Sequence, residues 1–268
     1  MLSALKIEWM KVKNYRTFWI LLGITLISIP GINYMFYNIM DNSFPKGRNG
    51  QNPLLGSPFA FPDVWNTVTW NASLLFIIPA LLIITVTTNE FTFKTHRQNV
   101  IDGWSRQLFI SVKLIEILLL SILCTLIIIL TVLGFGLIGN KLGPGVTIGQ
   151  GSRMAFFYFI EMFSYSMIAF FLSILIRRSG LAIGVFFIYM LAEQIVVGVF
   201  RNSYHMKWVN YLPEEVTDML LPVPYAKAMF QRNAADWNQH IPIYLAVSAV
   251  YLILYCLITS RRFVKADL

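Results

Sequence analysis

Charge is what this sequence has least of. Asp, Glu, Lys and Arg make up 13% of its 268 residues, about half their share in a soluble domain. Too little polar surface remains to cover a water-soluble globule, while 57% of the residues are hydrophobic and the mean hydropathy is +0.64. This composition argues against disorder, collagen and secreted disulfide scaffolds, and for a polytopic membrane protein. Cysteine is nearly absent. Cys124 and Cys256 both lie in apolar runs and read as buried thiols, not as a disulfide or metal pair. The three histidines, His96, His205 and His240, are far apart, so no metal site is expected. There is no Walker phosphate loop, no HExxH and no GxSxG. The chain is therefore read as having no catalytic residue and no ATP site of its own. Gly134, Gly136 and Gly139 match a GxGxxG spacing, but they end an apolar run where a strand-to-helix turn would be needed, and the match is discounted.

A spanning helix takes about 20 mostly apolar residues. Six segments meet this: 18–40, 66–88, 114–138, 154–176, 181–200 and 241–259. The first reads as an uncleaved span, because its apolar core is too long for a signal peptide and no small-residue cleavage site follows. Pro30-Gly31 is expected to bend it, and Pro79 to bend the second. Six spans put both termini on one side of the membrane. On that side fall thirteen of the 21 basic residues, all in short segments; the other side holds eight, four of them in the long segment 201–240. A basic excess in short loops marks the cytoplasm. Both termini are thus expected to be cytoplasmic, and the net charge of +8 reads as a topology signal, not as a nucleic-acid footprint. Trp9, Tyr15, Phe18 and Trp19 suit the inner interface, and Tyr34, Tyr37, Trp65 and Trp70 the outer one.

Between the spans, residues 1–16 place Leu2, Leu5, Trp9 and Val12 on one helical face, with Lys6, Lys13 and Arg16 off it. This is either an amphipathic helix in the membrane plane or a basic flank that only sets orientation. Segments 41–63 and 139–153 are rich in Gly, the first also in Pro, and read as irregular. In 201–240, Pro213-Glu214-Glu215 has the pattern of a helix start. A short helix is expected to run to about Leu221 and to stop at Pro222 and Pro224. Segment 89–113 carries Phe91, Phe93, Trp104 and Phe109 among charges of both signs. It is either a protein-binding surface or a turn whose rings lie among headgroups. Glu116 can reach back towards Lys113. Glu161 and Glu193, the latter followed by Gln194, stand at similar depth in consecutive helices. An acid at the bilayer centre costs about 3 kcal/mol, so both must face protein or a wet path. They either line a substrate path or lock helices together by hydrogen bonds. Gly180 and Gly184 permit close helix packing, within one subunit or between two.

Segment 89–107 also carries a likeness. Glu90, Phe91, Lys94, Thr95 and Arg97, followed by Asp102-Gly103-Trp104-Ser105-Arg106, resemble the permease subunit of a type-2 ATP-binding-cassette (ABC) exporter. The likeness extends to the basic amphipathic start with Glu8-Trp9 and Lys11, six spans with both ends inside, and a structured external segment before the last span. It implies an all-α, six-span permease domain over 1–268, multi-pass in a bacterial inner (plasma) membrane and bathed in membrane lipid. It implies that 89–107 is a coupling helix, with Glu90, Phe91, Lys94, Thr95, Arg97, Asp102, Trp104 and Arg106 meeting a separate ABC ATPase subunit. ATP and Mg would sit on that partner, and no cofactor on this chain. A second permease, identical or related, would complete the path, with Glu161, Glu193 and Gln194 as its polar lining. One departure is visible: segment 201–240 is less apolar than a re-entrant hairpin and is interrupted by three prolines. Two other classes are weighed, an ion-coupled secondary carrier using Glu161 and Glu193, and an integral-membrane enzyme. The second lacks a visible nucleophile or metal cluster.

Overall fold

A computed structural model describes residues 2–43, 57–138, 147–225 and 234–265. The loop expectations that fall on 44–56, 139–146 and 226–233, and the one for Gly139, lie outside them. All regular structure among the described residues is helical. In chain order the helices are α1 (Leu2–Lys13), α2 (Arg16–Ser43), α3 (Val64–Ser73), α4 (Ile77–Thr92), α5 (Thr95–Ile101), α6 (Arg106–Ile138), α7 (Arg153–Ile176), α8 (Ser179–Asn202), α9 (Glu215–Asp218) and α10 (Ala234–Lys265), with a 3-10 turn at Lys207–Tyr211. Five of them, α2, α6, α7, α8 and α10, are long and apolar enough to cross a membrane. The pair α3 and α4 passes the same test only together, bent by 46°.

The bend falls four residues before Pro79, at the carbonyl that a helix proline leaves unbonded. The break is at Leu74, Leu75 and Phe76, closed by tight turn bonds from the Leu75 amide to the Ala72 carbonyl and from the Phe76 amide to the Ser73 carbonyl. Pro79 lies in the first turn of α4, where its missing N–H would have had no helical partner. The carbonyl of Leu75 is taken instead by the amide of Ile78 at 3.0 Å. Pro30 stays inside α2 and does not divide it.

The core is built around α7. Of its apolar window 61% is buried, against 39% for α6 and 17% for α2, α8 and α10. It packs on α3, α4, α6, α8 and α10. Its aromatic face explains the choice: Phe157, Tyr158, Tyr165 and Phe170 are all buried, and Tyr165 stacks on Phe76 at the α3–α4 break, centroids 3.6 Å apart. Buried polar groups join neighbouring helices. The Asn71 amide donates to the Asn33 side-chain oxygen at 3.0 Å, joining α3 to α2, and Tyr225 donates to Asn71 at 2.6 Å.

Gly136, one of the three glycines of the discounted spacing, has a packing role. A Cβ there would lie 2.5 Å from the Phe61 ring. A Cβ added at Gly180 or Gly184, by contrast, would meet nothing within 4 Å among the described residues, so neither glycine marks a close helix contact there. Trp65, expected at an interface, is 5% exposed and its indole donates to the Ile148 carbonyl at 2.7 Å. A buried indole N–H needs such a partner, and the bond ties segment 147–152 to α3.

The ends of the bundle differ. One end gathers α1, the end of α4, α5, the start of α6, the α7–α8 turn and the end of α10. Phe263 near the chain end stacks on Phe109 at 4.6 Å, Arg177 lies over Phe91, and the Arg106 guanidinium donates to the Val264 carbonyl. The other end holds the segment between α8 and α10.

Candidate functional site

Two polar assemblies stand out, one at each end. At the α5 end, five charged side chains from three helices meet. Lys113 of α6 is 2% exposed and contacts three carboxylates: Glu8 of α1 at 2.7 Å, Glu116 at 3.0 Å and Glu90 of α4. Lys11 of α1 bridges Glu8 at 2.5 Å and Glu90 at 3.6 Å, and donates to the Asn99 side chain of α5 at 3.2 Å. It also lies over the Trp104 ring, 5.6 Å from its centroid. The sequence makes the Lys113–Glu116 pair legible, because three residues apart on a helix share a face. Glu8 lies 105 residues from Lys113 and only the fold brings it there.

Burial alone would raise the Glu8 carboxyl, but Lys113 and Lys11 outweigh that and hold it at about 2. The buried face of α1 is therefore Ala4 and Glu8, while Trp9 is 53% exposed. The expected apolar face of Leu5, Trp9 and Val12 instead borders a cleft between α1, α2, α4 and α6. The α1–α2 corner is held by the Trp19 indole, which donates to the Lys13 carbonyl at 2.8 Å, and by the Trp9–Trp19 ring contact at 6.0 Å.

The residues expected to couple to a partner separate into two groups. Glu90 and Trp104 join the ion cluster. Phe91 packs on His96 at 4.7 Å, and Arg106 bonds the end of α10. These four face the protein. His96 Nδ1 lies 2.8 Å from the Glu90 carbonyl; a carbonyl only accepts, so Nδ1 carries the proton. Burial lowers the His96 pKa, against that hydrogen bond and with Arg97 and Arg177 adding to it. Lys94, Arg97 and Asp102 face outward, and Thr95 is half-buried. With the outward three stand Phe93, 70% exposed, and Ile101, 76% exposed. Ile101 was not marked by sequence reasoning. No pattern distinguishes it from a buried residue until α5 has a direction.

At the other end, Glu193 of α8 accepts from the backbone amides of Glu214 at 2.7 Å and Glu215 at 3.0 Å, and from the Tyr189 hydroxyl at 2.7 Å. It thereby caps the start of α9, which spans Glu215–Asp218 and is shorter than the helix expected to reach Leu221. The acids at 214 and 215 do not serve their own helix start from water. Both are buried; Glu215 pairs with Arg201 at 2.5 Å, and burial, with Glu193 and Asp218 nearby, pushes Glu214 up to about 9. Asp218 accepts from the Tyr165 hydroxyl at 2.8 Å, and Glu161 of α7 is buried with one carboxylate oxygen lacking a hydrogen-bond partner among the described residues. Gln194 is exposed and lies 3.5 Å from Asp218. Of the three residues expected on a path, Glu193 and Gln194 thus reach segment 214–218, and Glu161 and Glu193 do not bond one another. Asp218 and Tyr165 were not marked from sequence.

No group of three metal-ligating side chains converges among the described residues. Fold and sites together define an all-helical protein with five or six apolar membrane-length passes and a charged cluster at one end. Residues 21–268 match the model of a family described as "Protein of unknown function (DUF2705)", and the chain belongs to that family. No curated protein matches it.

Proposed function

We propose that this chain is the membrane permease subunit of an ATP-driven exporter, with six spans, both termini cytoplasmic, and α5 docking on a separate ATPase subunit. The observation that carries the reading is the surface of α5. Ile101, 76% exposed, stands with Arg97 on α5, and Phe93, 70% exposed, stands in the turn just before it, between two apolar passes. Large apolar side chains beside an arginine have the composition of a binding surface. The buried ion cluster beneath gives α5 a rigid seat: Asn99 and Trp104 both contact Lys11, which contacts Glu8 and Glu90. Force on α5 would therefore reach α1, α4 and α6 directly. Bent α3–α4 counts as one span in this reading, and the basic ends at Arg177, Arg178, Arg261 and Arg262 share the α5 end, in keeping with a cytoplasmic face.

The test is affinity purification of the chain from its own membranes in mild detergent. An ATPase should accompany it, and its ATP turnover should be measurable. The triple variant Phe93→Ser, Arg97→Ala, Ile101→Ser should fold but lose that ATPase. Retention by the triple variant, or a wild-type chain with no nucleotide-hydrolysing companion, refutes the reading. The burial of Glu161 and Glu193 within apolar helices favours a second reading, an ion-coupled carrier. That carrier would accumulate substrate on an imposed proton gradient without nucleotide.

A further inference from the structure

The cleft between α1, α2, α4 and α6 lies beside the ion cluster and has a volume of ≈ 440 Å³, within the range of small-molecule sites. Its walls are apolar, with Leu5, Val12, Leu22, Leu82 and Leu119 among them, and two carboxylates, Glu8 and Glu116, reach it; no basic side chain does. The cluster behind holds three carboxylates, Glu8, Glu90 and Glu116, against two ammonium groups, Lys11 and Lys113. Lys113 is divided among all three acids. Glu116 is the most exposed of them, its side chain 22% open against 2% for Glu8 and 6% for Glu90. With all three acids ionised the cluster carries one negative charge in excess of its two ammonium groups, and the most exposed acid, Glu116, stands in an apolar wall. Trp9 and Trp19, 53% and 47% exposed, border the same cleft. Indole faces attract cations.

We propose that this cleft binds a lipophilic monovalent cation, its apolar body among the leucines and its charge at Glu116. A neutral hydrophobe would leave the excess charge unmet, and an anion would be repelled by it. A lone positive charge on an apolar body completes both the packing and the charge balance. The site stands on this chain alone and does not depend on an ATPase partner.

The test uses the full chain in nanodiscs of zwitterionic lipid, with empty nanodiscs as the blank. Binding of tetraphenylphosphonium is compared with that of tetraphenylborate, a near-isosteric anion, by equilibrium dialysis and tryptophan quenching. Saturable phosphonium binding, at least tenfold tighter than borate binding, is expected. Glu116→Gln should weaken phosphonium binding at least tenfold and leave borate binding no weaker, while Glu116→Asp retains most of it. Leu119→Trp, at a position 56% exposed, should block the cleft without disturbing the core. Each variant is first checked for unchanged helix content and a single elution peak. Should Glu116→Gln fail that check, Leu119→Trp and the ion comparison decide. Equal binding of the two ions, binding no greater than to empty nanodiscs, or full phosphonium binding by folded Glu116→Gln would each overturn the proposal.

Discussion

Lys113 is the residue on which most of the polar structure at the α5 end depends. An ammonium buried to 2% exposure is tolerable only because three carboxylates meet it, and the reverse holds for them. Breaking a buried pair by removing one partner costs about 3–5 kcal/mol. Lys113→Met should therefore lower the thermal unfolding midpoint in detergent sharply, whereas Glu116→Gln, which leaves Lys113 two partners, should lower it little. Equal midpoints for Lys113→Met and wild type would remove the cluster from any account of stability. Glu8 adds a pH dependence. Its carboxyl is held at about 2 in the fold against an ordinary 4.5, so the unfolded chain binds the proton more readily. The stabilisation is complete above about pH 4.5 and fades as pH falls towards 2. Acid titration followed by tryptophan emission should show α1 leaving its seat in that window, and Glu8→Gln should abolish the step. A step centred near neutral pH would contradict this assignment.

At the scale of elements, two contacts carry specific expectations. The segment between α8 and α10 is held in the bundle by a side chain of α8, since Glu193 accepts both amides at the start of α9. A buried donor left without a partner costs about 1–3 kcal/mol, and two are at stake. In a Val216→Cys background, where position 216 is fully buried, Glu193→Leu should raise the labelling rate by a membrane-impermeant maleimide at least tenfold. Glu193→Gln keeps an acceptor oxygen and should label nearly as slowly as the parent. Rapid labelling of the parent would show that the cap does not hold the segment. The second contact is the seat of Phe61 on α6. A methyl group at Gly136 would stand 2.5 Å from that ring, so Gly136→Ala should destabilise by about 1–3 kcal/mol. Phe61→Leu in the same chain should recover part of the loss.

For the whole molecule, the charge asymmetry and the two-ended bundle make one expectation. Reporter fusions at Leu268 and within 201–225 should report opposite sides of the membrane, with Leu268 inside. The same side for both would exclude six passes. The helical class and the positions of the apolar passes were legible in composition and run length, because burying a helix in lipid demands about 20 apolar residues whatever surrounds them. A bend in the second span was legible from Pro79, but its size and its packing were not. Its bonds are local, but the Phe76–Tyr165 stack on it joins α3–α4 to α7. The acids at 161 and 193 were legible as residues that must avoid lipid. The partners of Glu193, the amides of Glu214 and Glu215, were not, because capping rules anticipate acids local to a helix start and here the acid comes from another helix.

By itself the sequence determined that this is a bundle of apolar helices, that 89–107 is unlike a plain linker, and that its acids need shelter. Those conclusions rest on residue type and spacing, which act over one or two turns. Only the tertiary structure decided that Lys113 gathers Glu8, Glu90 and Glu116, that Phe93 and Ile101 face out while Phe91 faces in, and that Glu8 and Glu116 reach an apolar cleft under α1. These depend on which helix faces lie together in three dimensions. A salt bridge spanning 105 residues of chain leaves no periodicity to read.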